Sequence, residues 1–344
     1  MIPRRVFLTA GSFAFASLLP LAGWAEDIKT IAIVTPEQGT DFGWNQQGVE
    51  GLQAAAEAAG IDPIVAQGLG YGNIRPTLRE LADDGAQLIV AHASGYSTEA
   101  VEVAKEMKVM VAAANIQSEP PYVANYTLMA EKGAFLAGVL AAKTTKTGKI
   151  GIVVSSESPN WNAQSAGFAQ GVRYVSKDIE LRYAIIGPAA YADVAGARRV
   201  TESVIASGAD IIFGQGNGSS FGMIQAVETT TAPGSDKTWF IDVIGDKTSL
   251  DKGNLLSSVI WDMSPIFGDM IKDANDGNFG KSSYALRLED NSQRLMKTSH
   301  IPDDVWAEIE AVKAKIIDGS VKVDLVTDPE ATKALMSSTL SAAN

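Results

Sequence analysis

Aromatic rings stand beside amides and carboxylates in several short segments of the chain, a combination suited to holding a flat, polar molecule. The densest segment, residues 41–46, contains Asp41, Phe42, Trp44 and Asn45. Aromatic faces stack on flat rings, and side-chain amides donate and accept hydrogen bonds at fixed angles. In the alternative interpretation, Asp41 caps a helix and Phe42 or Trp44 packs against its first turn. The segment therefore predicts either a binding loop or a helix start.

Further candidate side chains follow other short apolar runs. The additional predicted ligand-binding residues are Ser94, Tyr96, Trp161, Asn217, Phe221, Asp242, Asp246 and Trp261. Residues 214–221 resemble a dinucleotide-binding loop only superficially, because the G-x-G-x-x-G spacing fails. That segment either cradles a polar ligand edge or forms a permissive turn. Asp242 and Asp246 also raise the alternative of glycoside hydrolysis, although the sequence does not fix the carboxylate separation that this chemistry needs.

The sequence favours binding over catalysis. It contains no cysteine, which removes thiol nucleophiles, disulfides and cysteine-ligated metals together. Its two histidines, His92 and His300, are far apart in the chain, and neither has acidic residues at metal-binding spacing. Neither a Walker phosphate loop nor an H-E-x-x-H motif occurs. We therefore predict no enzyme activity, no metal site and no cofactor.

Composition predicts a protein of two domains with an acidic surface. Of the 344 residues, 46% are hydrophobic and 20% are charged, which is enough apolar material for a buried core. The formal net charge is -12, and without Arg4 and Arg5, the only charges among the first 25 residues, it is -14. An acidic surface argues against nucleic acid or anionic lipid as a partner. An acidic surface also suits a protein that stays soluble and monomeric.

The first 25 residues have the order of a signal peptide. Arg4 and Arg5 form a twin-arginine pair, an apolar stretch runs on to Leu21, and small residues lead to Ala25. This order predicts a twin-arginine signal peptide over residues 1–25 and a periplasmic location for the rest of the chain. A permanent membrane anchor is the alternative. The apolar run is short for a span, however, and Pro20 interrupts it.

After residue 25, short apolar runs alternate with helical segments, and the rhythm restarts near residue 128. This alternation is typical of parallel strands that are covered on both faces by helices. It predicts an α/β protein with two Rossmann-like parallel-sheet lobes joined by a multi-strand hinge. The predicted N-terminal lobe spans residues 26–127 plus 262–285, and the C-terminal lobe spans 128–261 plus 286–344. Ligands bind outside the carboxyl ends of such strands, so the strand-end loops should face each other across a cleft.

Two motifs carry a family resemblance that covers most of the chain after the signal peptide. Residues 41–46, followed by Gly48 and Gly51, are similar to a D-x-S-F-N-Q…G segment, and residues 131–138 are similar to an E-x-x-x-F-L-A-G helix. In this order they resemble the basic-membrane-protein (PnrA-like) group of ABC-transporter substrate-binding proteins, which have the type I periplasmic-binding fold. The resemblance implies a permease and an ATPase as partners.

The resemblance also implies a purine nucleoside ligand whose base lies between aromatic rings of the two lobes. By position, Trp44 stands where the family has a stacking Phe, and Asp41 and Asn45 match polar positions of its site. Phe221 is the candidate for the opposing ring.

Two departures from the family pattern change the expected ligand. In the G-V-D-x-D run that holds ribose, Asp246 keeps the last position but Ile244 occupies the first acidic one. Trp261 stands where the family has a Lys. Ribose hydroxyls left unpaired in a buried site would each cost about 1–3 kcal/mol. We therefore expect a purine base or related planar heterocycle. A purine nucleoside, a sugar bound by the same fold, and a secreted nucleoside hydrolase are the alternatives.

Overall fold

The computed structural model describes residues 27–337 and consists of two lobes, each built on a six-stranded sheet. The predicted signal peptide, residues 1–25, lies outside the described residues. The elements of the first lobe begin with β1 Thr30–Val34, α1 Trp44–Ala59, β2 Asp62–Ala66, α2 Arg75–Asp83, β3 Leu88–Ala91, α3 Ser97–Met107, β4 Met110–Ala114 and β5 Val123–Thr127. The β-branched run of β1 is buried after its first residue, since helices cover both faces of this parallel sheet.

The second lobe repeats the same alternation. Its elements are α4 Glu131–Thr144, β6 Lys149–Val154, α5 Pro159–Val175, β7 Glu180–Ile185, α6 Val194–Ala206, β8 Ile211–Gln215, α7 Ser220–Thr229, β9 Trp239–Ile244 and β10 Leu255–Trp261. The last elements are α8 Ser264–Asn275, β11 Tyr284–Ala285, β12 Gln293–Leu295, α9 Asp303–Ile317 and α10 Pro329–Ser337. The strand orders are β11-β5-β4-β3-β1-β2 and β12-β10-β9-β8-β6-β7. Parallel pairing dominates both sheets, which confirms the predicted fold class; β12 is antiparallel to β10.

The chain passes between the lobes more than once. It leaves the first sheet after β5, and it returns after β10, where α8 packs on α1 and β11 joins β5. Between β11 and β12 it crosses again, and α9 packs on α4 in the second lobe. This arrangement agrees with the expectation of several hinge segments. The lobe boundaries assigned from the sequence stay a prediction.

Helices α4 and α5 pack almost backbone to backbone. A Cβ atom added at Gly138, Gly167 or Gly171 would overlap a backbone oxygen of the facing helix. Gly138 belongs to the E-x-x-x-F-L-A-G segment, so this segment is explained by close helix packing. The contact also fixes the start of α5, which reaches the space between the lobes.

Two negative findings apply to the described part of the chain. None of its helices is long and apolar enough to cross a membrane. Among residues 27–337, no three acidic or histidine side chains are grouped as a metal site requires.

Candidate functional site

A cavity of about 160 Å³ lies between the lobes, at the carboxyl ends of strands from both sheets. Most of its lining comes from loops that follow strands, or from the first turn of the helix that such a loop enters. The lining residues are Pro36, Trp44, Tyr71, Ala93, Ser94, Asn115, Ser158, Pro159, Asn160, Trp161, Tyr191, Asn217 and Trp261. Open α/β sheets bind ligands at this end of the strands, which makes the cavity the candidate ligand site.

Three indole rings form the centre of the cavity wall. Trp44 from the first lobe meets Trp261 edge to face, with ring centroids 6.3 Å apart and planes at 78°. Trp161 lies 6.1 Å from Trp261, with planes tilted by 39°. The three rings contact one another and give the cavity an aromatic wall, which suits a flat, polarizable molecule.

The cavity is electrically neutral. Among the residues that the structure describes, none of those lining it is an Asp, Glu, Lys, Arg or His. Partial burial, together with the nearby carboxylate of Glu37, raises the pKa of Tyr71 to about 12, so its phenol is un-ionised at neutral pH. Because an unpaired charge is costly to bury, this cavity suits an uncharged molecule.

Trp44 is held in place by His92 through reciprocal contacts. The two rings stack with centroids 4.4 Å apart and planes at 18°. Trp44 Nε1 donates to the backbone oxygen of His92 at 2.9 Å, and His92 Nε2 donates to the backbone oxygen of Trp44 at 3.0 Å. A Cβ atom at Gly48 would overlap the His92 ring, so glycine is needed on that side. The indole face toward the cavity is therefore fixed by packing behind it.

The surroundings of His92 also fix its protonation state. A carbonyl oxygen only accepts, so the proton of a neutral ring is on Nε2, and Nδ1 accepts from the Tyr126 hydroxyl at 2.8 Å. Complete burial lowers the pKa of His92 to about 4, against its ordinary value of 6.5. At neutral pH the ring behind Trp44 is uncharged.

Comparison with known proteins identifies the family. The model for the family described as "ABC transporter substrate-binding protein PnrA-like" matches residues 28–325. The chain belongs to this family. Basic membrane protein A1 of Borrelia garinii subsp. bavariensis is 27% identical to this PnrA-like protein over 307 residues, covering 86% of the chain and 88% of the relative.

A further relative is similar over nearly the whole chain, and a solved structure has the same fold. A Lactococcus lactis subsp. cremoris protein named "ABC transporter nucleoside-binding protein BmpA" is 25% identical, covering 93% of this chain and 99% of the relative. A solved ABC transporter solute-binding protein from Conexibacter woesei superposes with a TM-score of 0.71 at 20% identity, covering 86% of this chain and 98% of that one. The structural likeness supports the two-lobed fold.

The structure brings together five of the residues that the sequence predicted for the ligand site. Lining the cavity of this PnrA-like protein are Trp44, Ser94, Trp161, Asn217 and Trp261. The other predicted residues lie outside the lining, namely Asp41, Phe42, Asn45, Tyr96, Phe221, Asp242 and Asp246. Each of these seven makes a hydrogen bond, an ion pair or a ring contact outside the cavity, and this contact accounts for its position.

Asp41 and Asn45 organise the start of α1. Asp41 accepts hydrogen bonds from the backbone nitrogens of Gly43, Asn45 and Gln46 at 3.0, 3.1 and 3.0 Å. The Asn45 side-chain amide donates to the same carboxylate at 2.8 Å and is buried. The capping interpretation of this segment therefore describes Asp41 and Asn45, whereas the binding interpretation fits Trp44.

The three aromatic residues outside the cavity make structural contacts. Tyr96 is fully buried, and its hydroxyl donates to the backbone oxygen of Gly70, because residues 94–96 form a short 3₁₀ turn that directs the ring into the core. Phe42 and Phe221 meet edge to face at 6.1 Å, one from each lobe. Phe221, expected as the opposing ring, thus contacts Phe42, and Tyr191 and Trp161 line the cavity on the second-lobe side.

The two carboxylates near the end of β9 are also engaged elsewhere. Asp242 is buried, and its carboxylate lies 3.0 Å from the Lys247 ammonium and accepts from the Ser220 hydroxyl at 3.0 Å. Asp246 is exposed and accepts from the backbone nitrogen of Thr248 at 2.7 Å. Ile244, between them, has a φ of 73°, an uncommon conformation for a β-branched residue. Asp242 thus stabilises the end of β9, and Asp246 stabilises the turn that follows.

One segment has the spacing of a serine nucleophile motif. Residues 218–222 read G-S-S-F-G and run from the loop after β8 into the first turn of α7, so they match the strand–turn–helix context of a G-x-S-x-G motif. Ser220, however, is buried, and its hydroxyl donates to Asp242. His92 is buried beside Trp44 in the first lobe, and His300 lies 3.7 Å from Asp251. Neither histidine contacts Ser220, so the segment lacks the base that a serine nucleophile requires.

Several lining residues were not singled out in the sequence. Tyr71, Asn115 and Tyr191 follow β2, β4 and β7, and Pro36 follows β1. The rule that ligands lie beyond the carboxyl ends of parallel strands points to all four loops. Nothing local distinguishes these side chains from other loop residues. They reach one cavity only because the two sheets face each other across it.

Proposed function

We propose that this PnrA-like protein captures a purine base or a related planar heterocycle between its lobes for an ABC importer. The observation that carries the proposal is the small, neutral cavity walled by Trp44, Trp161 and Trp261. A cavity of about 150 Å³ holds a benzene molecule. At about 160 Å³, the cavity has the size of a compact ring system.

The surroundings of the cavity favour a base over a nucleoside. Ribose hydroxyls need polar partners, and the family pattern supplies acidic and Lys side chains for them. Here Asp242 is paired with Lys247 and Asp246 faces solvent. Trp261, which stands at the family's Lys position in the sequence comparison, lines the cavity. A buried hydroxyl without a partner costs about 1–3 kcal/mol, so a bound ribose would lose affinity.

A purine nucleoside is the second candidate ligand. The Lactococcus relative is named a nucleoside-binding protein, and it covers nearly the whole chain. Opening of the lobes would enlarge the cavity, and a nucleoside is uncharged, as the neutral lining requires.

Membership of the family makes the chain the extracytoplasmic, substrate-binding component of an ABC transporter, which works with a permease and an ATPase. The finer statements are part of the proposal. Export uses the twin-arginine pathway, and the protein is a monomer that reaches the membrane only by docking on its permease. It binds without catalysis, and the net charge of -12 fits a surface that does not bind nucleic acid.

The test is calorimetric titration of the chain from residue 26 onward with hypoxanthine, adenine, inosine, adenosine and glucose. We expect the bases to bind more tightly than their nucleosides, and glucose not to bind. Trp44→Ala should weaken the binding of the bases, whereas the matched variant Phe42→Ala removes an aromatic ring outside the cavity and should affect them less. Tighter binding of a nucleoside than of its base would refute the proposed ligand, and binding of glucose alone would move the protein to the sugar-binding alternative.

A second experiment addresses catalysis. Inosine and adenosine are incubated with the protein and analysed by chromatography. Release of a free base in proportion to protein concentration would show a nucleoside hydrolase.

A further inference from the structure

Hydrogen-bonding groups around the cavity are distributed unequally between the lobes. Four lining residues carry a polar atom that is shielded from solvent and has no hydrogen-bond partner among the described residues: Asn160 Oδ1, Trp161 Nε1, Asn217 Oδ1 and Trp261 Nε1. All four belong to the second lobe. No side-chain atom of the first lobe's described residues is in this condition.

The first lobe presents polar groups of a different kind. Trp44 Nε1 is already bonded to the backbone oxygen of His92. Ser94 and Asn115 line the cavity but are exposed, so water can hydrogen-bond with them. A ligand that bonds an exposed group only exchanges one partner for another, whereas a ligand that bonds a shielded, unpaired group removes a desolvation penalty. Discrimination between ligands should therefore arise in the second lobe.

The chemistry of the four unpaired atoms indicates which ligand edge fits them. An indole N–H only donates, so Trp161 and Trp261 both require an acceptor. A carbonyl oxygen has two lone pairs and can accept from both. The amides of Asn160 and Asn217 each carry a donor and an acceptor, and an N–H beside a carbonyl satisfies either end of them. A lactam edge, a ring carbonyl adjacent to a ring N–H, meets these requirements because its one oxygen accepts from both indoles, whereas the ring nitrogen beside an amino group has a single lone pair and accepts from one.

We propose that the second lobe selects a heterocycle by its lactam edge, through Trp161, Trp261, Asn160 and Asn217, while Trp44 of the first lobe stacks on the ring without regard to its substituents. This inference rests on the proposed function, since it names the class of heterocycle that the same cavity takes. Stacking on an aromatic side chain tolerates any base, because every base has a π face. An oxo-heterocycle is therefore preferred over its amino counterpart.

Hypoxanthine and adenine test this directly on the unmodified protein. They share one bicyclic ring and differ along one edge, where hypoxanthine has the lactam carbonyl beside a ring N–H and adenine has an amino group beside an unprotonated ring nitrogen. An amino group in the place of the carbonyl would turn donors toward the indole donors. We expect hypoxanthine to bind at least about 10-fold more tightly by calorimetric titration. Equal affinities, or tighter binding of adenine, would overturn the inference and leave the proposed function standing.

Variants separate the roles of the two lobes. Asn217→Ala and Trp161→Phe should each lower the affinity for hypoxanthine by about 5- to 100-fold and the affinity for adenine by less. The ratio of the two affinities should therefore fall. Ser94→Ala is the matched control on the first lobe and should shift both ligands by the same small factor. Trp44→Ala should lower the affinity for both ligands by the same factor. Circular dichroism of each variant reports whether it is folded.

The outcomes distinguish the two proposals. A preference for hypoxanthine that disappears in the second-lobe variants supports the inference. A preference that instead responds to Ser94→Ala or Trp44→Ala would assign selection to the first lobe and overturn it. If neither base binds the unmodified protein, both the inference and the proposed function fail.

Discussion

The buried, neutral His92 makes the stability of this protein depend on pH in a predictable direction. Its folded-state pKa of about 4 lies below the ordinary value of 6.5. Between these two values the unfolded chain binds more protons than the folded one, so stability is fully present above about pH 6.5 and is lost as the pH falls toward 4. At about 1.36 kcal/mol for each unit of pKa, the complete effect of this difference is about 3 kcal/mol, and about 2–3 kcal/mol of it is lost between pH 7.5 and 4.5.

The assay is urea denaturation at pH 7.5 and 4.5 of the unmodified protein and of His92→Phe. Phenylalanine keeps a ring behind Trp44 but cannot be protonated. It leaves the Tyr126 hydroxyl and the Trp44 carbonyl without their partner, so the variant should be less stable at pH 7.5. When the pH is lowered from 7.5 to 4.5, the free energy of unfolding of this variant should nevertheless fall by about 2–3 kcal/mol less than that of the unmodified protein.

His300→Gln is the matched control, since His300 is partly exposed and lies beside Asp251. It should keep the steep pH dependence of the unmodified protein. If His92→Phe and the unmodified protein lose the same stability between pH 7.5 and 4.5, the argument that His92 is buried in its neutral form is refuted.

Three other predictions follow from the packing. Lys247→Met leaves Asp242 buried without its cation and should lower the free energy of unfolding by about 3–5 kcal/mol in urea denaturation; adding Asp242→Asn should restore part of the loss. Gly171→Ala inserts a methyl group against the facing backbone of α4 and should lower the thermal midpoint, whereas Gly72→Ala, which meets no atom within 4 Å, should not. Phe221→Ala removes the edge contact between the lobes and should weaken every ligand by the same factor, about 2- to 10-fold by calorimetry; a change for one ligand only would place Phe221 in the site.

The regular elements follow closely from the sequence where the apolar runs are sharply bounded. Thr30–Val34, Lys149–Val154 and Leu255–Trp261 are strands with the bounds that their β-branched and apolar runs indicate. The run at residues 284–288 also predicts a strand, but only Tyr284–Ala285 pairs. The three-residue strand Gln293–Leu295 has no signal of its own, because its pairing with β10 depends on where the chain crosses between the lobes.

The site could be predicted only in part, because the direction of a loop side chain also depends on how the loop folds and packs. Trp44 and Trp161 lie in the first turns of helices that follow strand-end loops, so local sequence places both near the cavity. Tyr96 has an equally favourable position in the chain, but its loop tightens into a turn whose ring points to the core. The loop at residues 41–46 combines both outcomes, and sequence alone does not say that Asp41 faces the helix while Trp44 faces the cavity.

The neutral lining of the cavity has a consequence for how uptake responds to ionic strength. Salt screens interactions between charges with a Debye length of about 10 Å at 0.1 M, but it has little effect on stacking or on hydrogen bonds between uncharged groups. Since no charged side chain of the described residues lines the cavity, affinity for an uncharged heterocycle should be nearly constant from low to high salt. Docking on a membrane permease is an encounter between protein surfaces, one of which belongs to a chain with a net charge of -14 after residue 25, and should depend on salt. Ionic strength therefore offers a way to separate capture of the ligand from its delivery.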